Sequence, residues 1–244
     1  MNRALAAGAS GMSAQQSVLD IIAANLANVD TPGFRSDRPE FATLIGADGR
    51  GMGTTAQRSA KLFSQGKLEV TNNDFDLAID GDGLFEVRTS SGAVAYTRAG
   101  NFTPDAHGAL LLPNDARLAH VRLPSGALGV TVGQDGRIRA HVPGKTGPID
   151  AGRVTLCAFI NASGLRLGAD GLFYPTHDAG TVVRGDANAG GFGKIKQRCL
   201  ERANLSIVGA MMSVLAAQRA YEANAKSVQA ADEMLRLANN LERG

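Results

Sequence analysis

Apolar positions recur every seven residues at both ends of the chain and break into short runs separated by turns in its middle. From Arg3 to Asn28 there is no proline, and Leu5, Met12, Leu19 and Leu26 fall seven apart, with Ile22 and Val29 on the adjoining seam. Such a heptad stripe is the pattern of helices packed side by side. It predicts a helix that stops at Asp30-Thr31-Pro32-Gly33, since proline disfavours helical geometry before it and glycine permits a turn. From about Leu205 to Leu241 the pattern returns. Ile207, Val214, Tyr221, Val228 and Leu235 recur every seven residues, and Ala210, Ala217, Asn224, Ala231 and Ala238 follow three behind them. Large and small residues thus alternate along one seam, which allows close helix approach. Asn204 stands at the expected N-cap, and Asn224 is placed to fix register as a lone amide in the seam.

These terminal helices are not expected to be self-sufficient. A large seam side chain contributes about 1.5–3 kcal/mol on full burial, whereas ordering the backbone costs about 1–2 kcal/mol for each of about 37 residues of the second helix. Both ends are therefore expected to fold on assembly with a partner surface.

Between about Asp76 and Phe173 the period changes. Leu84–Val87, Ala93–Thr97, Leu118–Leu123, Leu128–Val132, Ile138–Val142 and Val154–Ile160 read as strands. Ser91-Gly92, His107-Gly108, Ser125-Gly126, Asp135-Gly136, Ser163-Gly164 and Asp170-Gly171 read as turns. Asp135-Gly136, between Val130-Thr131-Val132 and Ile138-Arg139-Ala140, is the clearest hairpin. Short strands at regular spacing predict an antiparallel barrel or sandwich-like domain. Gly180–Gly193 reads as a loop or the return to the last helix, and Gly46–Gly53 as an arm or hairpin tip. The expected fold class is α+β, with long N- and C-terminal helices paired as a coiled coil and a central antiparallel all-β domain. Residues 1–34 plus 203–244 form the helical part, 35–74 a linker or extended arm, and 75–202 the β-rich part with its Gly-rich return loop.

Composition narrows the function. Lys and Arg total 25 against 23 Asp and Glu, a net charge of +2, too balanced for the footprint of a nucleic-acid binder. No run approaches the 18 or so apolar residues of a membrane span, and the N-terminus lacks the apolar stretch of a cleaved signal peptide. Aromatics are 5% and tryptophan is absent, which is thin for an enzyme core. Cys157 and Cys199 exclude a disulfide framework or a four-cysteine zinc site, and leave a single bridge open.

Motifs of reactive chemistry fail on inspection. Asp74, Asp76, Asp80 and Asp82 suggest a calcium loop, but counting from Asp76 puts Ala78 and Val87 where ligands are needed. Gly144-Lys145-Thr146 lacks the first glycine of a P-loop, where Arg139 stands. Gly51-Met52-Gly53-Thr54-Thr55-Ala56 lacks a preceding strand, and Arg184-Gly185-Asp186 reads as chance. No catalytic, metal-binding or cofactor-binding residue is picked out, and no cofactor is expected. An enzyme with helical oligomerisation ends would need a convergent titratable cluster, and a coiled-coil adaptor would form a stoichiometric complex rather than filaments.

Three segments resemble the axial proteins of the bacterial flagellum, the rod and hook family. They are Asn25-Leu26-Ala27-Asn28-Val29-Asp30-Thr31-Pro32-Gly33-Phe34-Arg35, then Asp76–Phe85 with Tyr96-Thr97-Arg98-Ala99-Gly100-Asn101-Phe102, and Gln218–Lys226 with Asp232-Glu233-Met234-Leu235. Ala14-Gln15-Gln16, Ser64–Leu68 and Gln218–Glu222 are of the distal-rod type, with proximal rod and hook-type proteins as the alternatives. The chain departs from the family pattern at Ala24, Ala203, Ala210 and Cys199.

The resemblance implies a non-enzymatic, self-assembling subunit of a hollow helical tube in the periplasm-spanning rod of the basal body. Such a tube transmits torque from motor to hook and forms part of the export channel. The implied partners are further copies of the chain, other rod proteins, the hook protein, the P- and L-ring bushing and the flagellar type III export apparatus, with no nucleic acid and no membrane insertion. The implied assembly interface comprises Leu5, Met12, Leu19, Ile22, Leu26 and Asn28 at one end. At the other it comprises Ile207, Val214, Gln218, Arg219, Tyr221, Asn224, Val228 and Leu235.

Overall fold

A computed structural model describes residues 3–45, 51–127, 129–145 and 147–241. The chain divides into two compact units. One comprises Met1–Val29, Ser36–Leu62 and Leu205–Gly244, the other Asp30–Arg35 and Phe63–Asn204. The architecture is α+β, with one helix near each end and antiparallel strand pairing throughout.

The first unit contains α1 (Arg3–Ala27), the strands β1 (Asp37–Ile45) and β2 (Gly51–Lys61), and α2 (Ile207–Leu241). The two helices run antiparallel. A side chain at Gly8 would overlap Val228, and one at Gly11 would crowd Asn224. The buried residues on these helices are mostly small: Gly8 and Ala14 on α1, with Ile22 and Asn25, and Ala210, Ala217 and Ala231 on α2. The larger heptad residues Leu5, Met12, Leu19, Leu26, Val214, Val228 and Leu235 are half-buried, while Ile22 is buried. Glycine at positions 8 and 11 leaves room for Val228 and Asn224 of the facing helix. That offsets the helix-propensity cost of two glycines, about 1 kcal/mol each.

α2 begins at Ile207 and is capped by Ser206, whose Oγ accepts the Gly209 N–H at 3.2 Å. Ser206 corrects the expected cap at Asn204. A capping side chain must sit directly before the first helical turn to reach its free N–H groups, and Asn204 lies two residues too early. Asn204 instead belongs to the second unit, where its amide donates to the Ser64 carbonyl at 3.1 Å.

The segment 35–74, expected as an extended arm, carries the β1–β2 hairpin, with Asp37 opposite Lys61 and Thr43 opposite Thr54. Asn25, buried at the end of α1, fixes its start: its amide donates to the Asp37 carbonyl and accepts the Asp37 N–H, both at 2.8 Å. Of the glycine-rich arm, 46–50 lie outside the described residues, and Gly51–Gly53 belong to β2.

In the second unit the strands are β3 (Leu68–Val70), β4 (Leu77–Asp80), β5 (Leu84–Arg88), β6 (Val94–Thr97), β7 (Gly129–Val132), β8 (Arg137–His141), β9 (Ile149–Arg153), β10 (Thr155–Phe159), β11 (Val182–Asp186), β12 (Lys194–Gln197) and β13 (Cys199–Glu201), besides several two-residue pairings. The expected hairpin forms in the register of the sequence pattern, with Val130 opposite Ala140 and Val132 opposite Ile138. β8 alternates exposed Arg137, Arg139 and His141 with buried Ile138 and Ala140, the period of a half-buried strand. Gly180–Gly193 is not all loop, because β11 within it pairs with β10 over five positions. Its interrupted Val-Val-Arg-Gly-Asp run hides a strand whose partner is distant in sequence.

β5 lies centrally, antiparallel to β6 and to β10. Its residues Leu84, Phe85, Glu86 and Val87 are all buried, because both faces are covered. Phe85 and Val87 enter the main core with Leu77, Ile79, Phe102, Leu110, Ile138, Leu156, Leu172 and Ile195. Leu84 enters a second cluster with Tyr96, Cys157, Leu165 and Phe173. Phe85 and Phe102 meet edge to face at 5.7 Å, a geometry that aromatic quadrupoles favour.

Candidate functional site

The chain passes between the two units after Val29, Arg35, Leu62 and Asn204. Within the second unit the residues at these four passages are tied together around Glu201. Thr31-Pro32 turns the chain, and Gly33 adopts φ +69°, where a side chain would overlap the backbone of Arg98 and Ala99. That conformation and that close approach both demand glycine. The Gly33 N–H then donates to the Glu201 carbonyl at 2.7 Å.

Two residues on, Arg35 Nη2 donates to Glu201 Oε1 at 2.8 Å, and Arg98 Nε lies 2.9 Å from Glu201 Oε2. The side chains of Arg35, Arg98 and Glu201 are 1%, 4% and 0% exposed. Arg98 also donates to the Gly83 and Gly81 carbonyls at 2.6 and 2.8 Å, and the Gly66 N–H donates to Glu201 Oε1 at 2.7 Å. Burial works against the charge on Arg98 while the Glu201 carboxylate restores it, and the net result is a pKa below the ordinary arginine value. The next residues extend the clamp outward. Arg202 reaches Asp30 at 3.0 Å and also pairs with Glu69. The Arg202 contact holds the Glu69 carboxyl below its ordinary pKa.

The cluster is structural in kind. A guanidinium keeps its proton at neutral pH, and in this cluster Glu201 Oε1 accepts from Arg35 and from the Gly66 N–H while Oε2 faces Arg98 as an ion pair. A cavity of about 210 Å³ beside it is lined by Arg35, Arg98, Leu84, Cys157 and Phe159 among others. Among the described residues no group of three histidine, cysteine or acidic side chains is placed to hold a metal ion, and no helix is long and apolar enough to cross a membrane.

Three of the four aspartates that suggested a calcium loop are paired with basic side chains or with turn donors. Asp74 binds Arg198 at 2.6 Å, Asp80 binds Lys194 and Lys196 at 3.4 and 3.0 Å, and Asp76 accepts from Thr71 and Asn73. Arg184 of the Arg-Gly-Asp match binds Glu86 at 2.7 Å. Cys157 and Cys199 are both free thiols, the first buried and the second half-buried. Burial, then its hydrogen bond to Glu86, pushes the Cys157 thiol up to about 12.

The residues expected at an assembly interface are placed as follows. Asn224, Val214, Val228 and Leu235 lie half-buried on α2, while Ile207, Gln218, Arg219 and Tyr221 are exposed. On α1 all the expected residues are half-buried or buried, and Asn28 donates to the Ala24 carbonyl at 2.9 Å. Arg35, Arg98 and Glu201 were not among the expected site residues. The first two do stand in the signature segments quoted above; Glu201 lies two residues before Ala203.

The comparisons with known proteins follow the same geography. Residues 5–35 match the family described as "Flagella basal body rod protein", residues 78–140 the "Flagellar hook protein FlgE/F/G D1 domain", and residues 196–241 the "Flagellar basal body rod FlgEFG protein C-terminal". Each of the three spans contributes one member of the ion cluster. The chain is 35% identical to the flagellar basal-body rod protein FlgG of Borreliella burgdorferi and 32% identical to that of Bacillus subtilis, over the whole of both chains in each case. It is 29% identical to the rod protein FlgF of Escherichia coli, over 91% of this chain and 90% of that one. On these full-length likenesses the chain belongs to the family of flagellar basal-body rod proteins, as a member of the FlgG type.

Proposed function

We propose that the chain is a structural subunit of the distal flagellar rod, which polymerises into a hollow helical tube, transmits torque from motor to hook and lines part of the export channel. The observation that carries this reading is that the three family-matched spans, 5–35, 78–140 and 196–241, each supply one member of one buried ion cluster. Torque applied to a subunit must pass through the four chain passages, and a clamp that ties all four together suits that load. In this reading α1 and α2 pair as a coiled coil in the inner layer of the tube and the β-rich unit forms the outer layer. The role is mechanical and not catalytic. Heterologous, non-closing contacts between copies propagate the tube. Its partners are further copies of the chain, the other rod proteins, the hook protein, the ring bushing and the type III export apparatus that delivers it unfolded.

The test is complementation in a strain lacking the chain, followed by isolation of hook–basal bodies. The expected result is rods that stop short of the hook without the chain, and full-length rods containing it, with motility, when it is restored. Normal rods and hooks in its absence would overturn the reading.

A further inference from the structure

α2 presents two unlike sides. Toward α1 it buries Ala210, Ala217 and Ala231. On the opposite side, near its N-terminal end, Val208, Met211, Met212 and Leu215 are 68, 55, 66 and 55% exposed. At 3.6 residues per turn these four share one stripe, about half a turn from the alanines. Between Arg202 and Arg219 the sequence carries no charge. A contiguous apolar stripe on a solvated helix marks a contact surface rather than chance exposure.

The side of α1 that faces away from α2 has the complementary character. Ser13, Gln16, Asp20, Ala23, Ala24 and Ala27 are exposed there, so a serine and three alanines line it, beside Gln16 and Asp20, where α2 offers large side chains. Asp20 is the one acidic residue of α1, and Arg219 is the first charged residue of α2. Levels match as well. Gly8 lies against Val228 and Gly11 against Asn224. Counting on along the antiparallel pair brings Ala24 level with Met212, and Asp20 a turn nearer to Arg219.

We propose that the Val208–Leu215 face of α2 docks onto the Ser13–Ala27 face of α1 in a second copy of this chain, with Arg219 reaching Asp20. This rests on the rod reading above and names the contact that builds the tube. The two faces lie on opposite sides of the helix pair. Each copy therefore donates one and receives one, which leaves a free face at each end of any row and lets the row grow. Like-to-like packing of the α2 faces would close after two copies. Four side chains bury far less than the roughly 1,200 Å² of a stable pairwise interface. The contact therefore holds only where several neighbours act together, as at a growing tip, and the exported chain stays monomeric.

Disulfide trapping in assembled rods tests the docking. In a Cys199→Ser background, Met212→Cys is combined in turn with Ser13→Cys, Ala24→Cys and Ala27→Cys, and basal bodies are purified after mild oxidation. Within one copy these positions face opposite ways on helices whose axes lie about 8–10 Å apart, beyond the Cα separation of about 7 Å that a disulfide spans. The expected result is a ladder of dimers, trimers and larger species from at least one combination, and none from Met212→Cys alone. Dimers from Met212→Cys alone, or no cross-link from any combination in rods that contain the chain, would overturn the docking. Rods that form without the chain would instead remove the rod reading itself. The ion pair is checked by exchange of charges: Asp20→Arg alone reduces motility, and adding Arg219→Asp restores it. Failure of the restoration removes that pair from the proposal.

Discussion

Replacing Glu201 by glutamine preserves the size of the side chain and removes the carboxylate charge that the buried guanidinium groups of Arg35 and Arg98 share. Arg35 and Arg98 approach it at 2.8 and 2.9 Å, and none of the three side chains is more than 4% exposed. Taking one partner from a buried ion pair costs about 3–5 kcal/mol, because a desolvated charge is left without compensation. The geometry puts Glu201→Gln in that range, since both arginines lose the same partner. For a urea dependence of about 2 kcal/mol per molar, the unfolding midpoint of the second unit falls by about 2 M. The assay is urea unfolding of the full chain, followed through the near-ultraviolet signal of Tyr96 and Tyr174. A Tyr221→Phe background removes the third tyrosine. A triple variant, Arg35→Met, Arg98→Met and Glu201→Leu, leaves no charge in the cluster and is expected to lose less than the single change. A midpoint within about 0.5 M of the parent for Glu201→Gln, or a larger loss in the triple variant, would show that uncompensated charge is not what the cluster guards against.

Four further outcomes are expected. Val228→Asp places a carboxylate against Gly8 of α1, which costs a few kcal/mol of helix pairing and abolishes motility; normal polymerisation would remove that seam from the assembly contact. Amide hydrogen exchange on the free chain is expected to be faster along the two terminal helices, Arg3–Ala27 and Ile207–Leu241, than across 75–195, because alanine and glycine at the helix contact bury little apolar area. Iodoacetamide at neutral pH is expected to label Cys199 and spare Cys157 until the chain unfolds, given the raised thiol pKa of Cys157. Despite burial, Arg184 holds Glu86 below its ordinary pKa, and Lys196 does the same for Asp80. The unfolded chain therefore takes up protons first as pH falls below the ordinary carboxylate range. The stability these groups contribute is present at neutral pH and is lost progressively below about pH 4.5, readable as a falling urea midpoint between pH 5 and pH 3 and unchanged at higher pH.

The sequence by itself determined what depends on local period and local backbone chemistry. Seven-residue spacing placed both helices to within two residues of their ends, and Asp135-Gly136 set its hairpin in register. Signature segments sufficed to indicate the family. What escaped local reading depends on partners distant in the chain. β11 was hidden because its mate β10 lies across an intervening hairpin, and the cap of α2 was misplaced because Asn204 is committed to Ser64. The sequence pattern put small residues along the helix seam; only the fold sets Gly8 against Val228 and Gly11 against Asn224. Least legible was the ion cluster. Arg35 and Glu201 stand 166 residues apart, and in sequence each is an ordinary charge expected in water. Only tertiary folding removes the water, and it does so with all three charges together because a buried guanidinium without its carboxylate would not be tolerated.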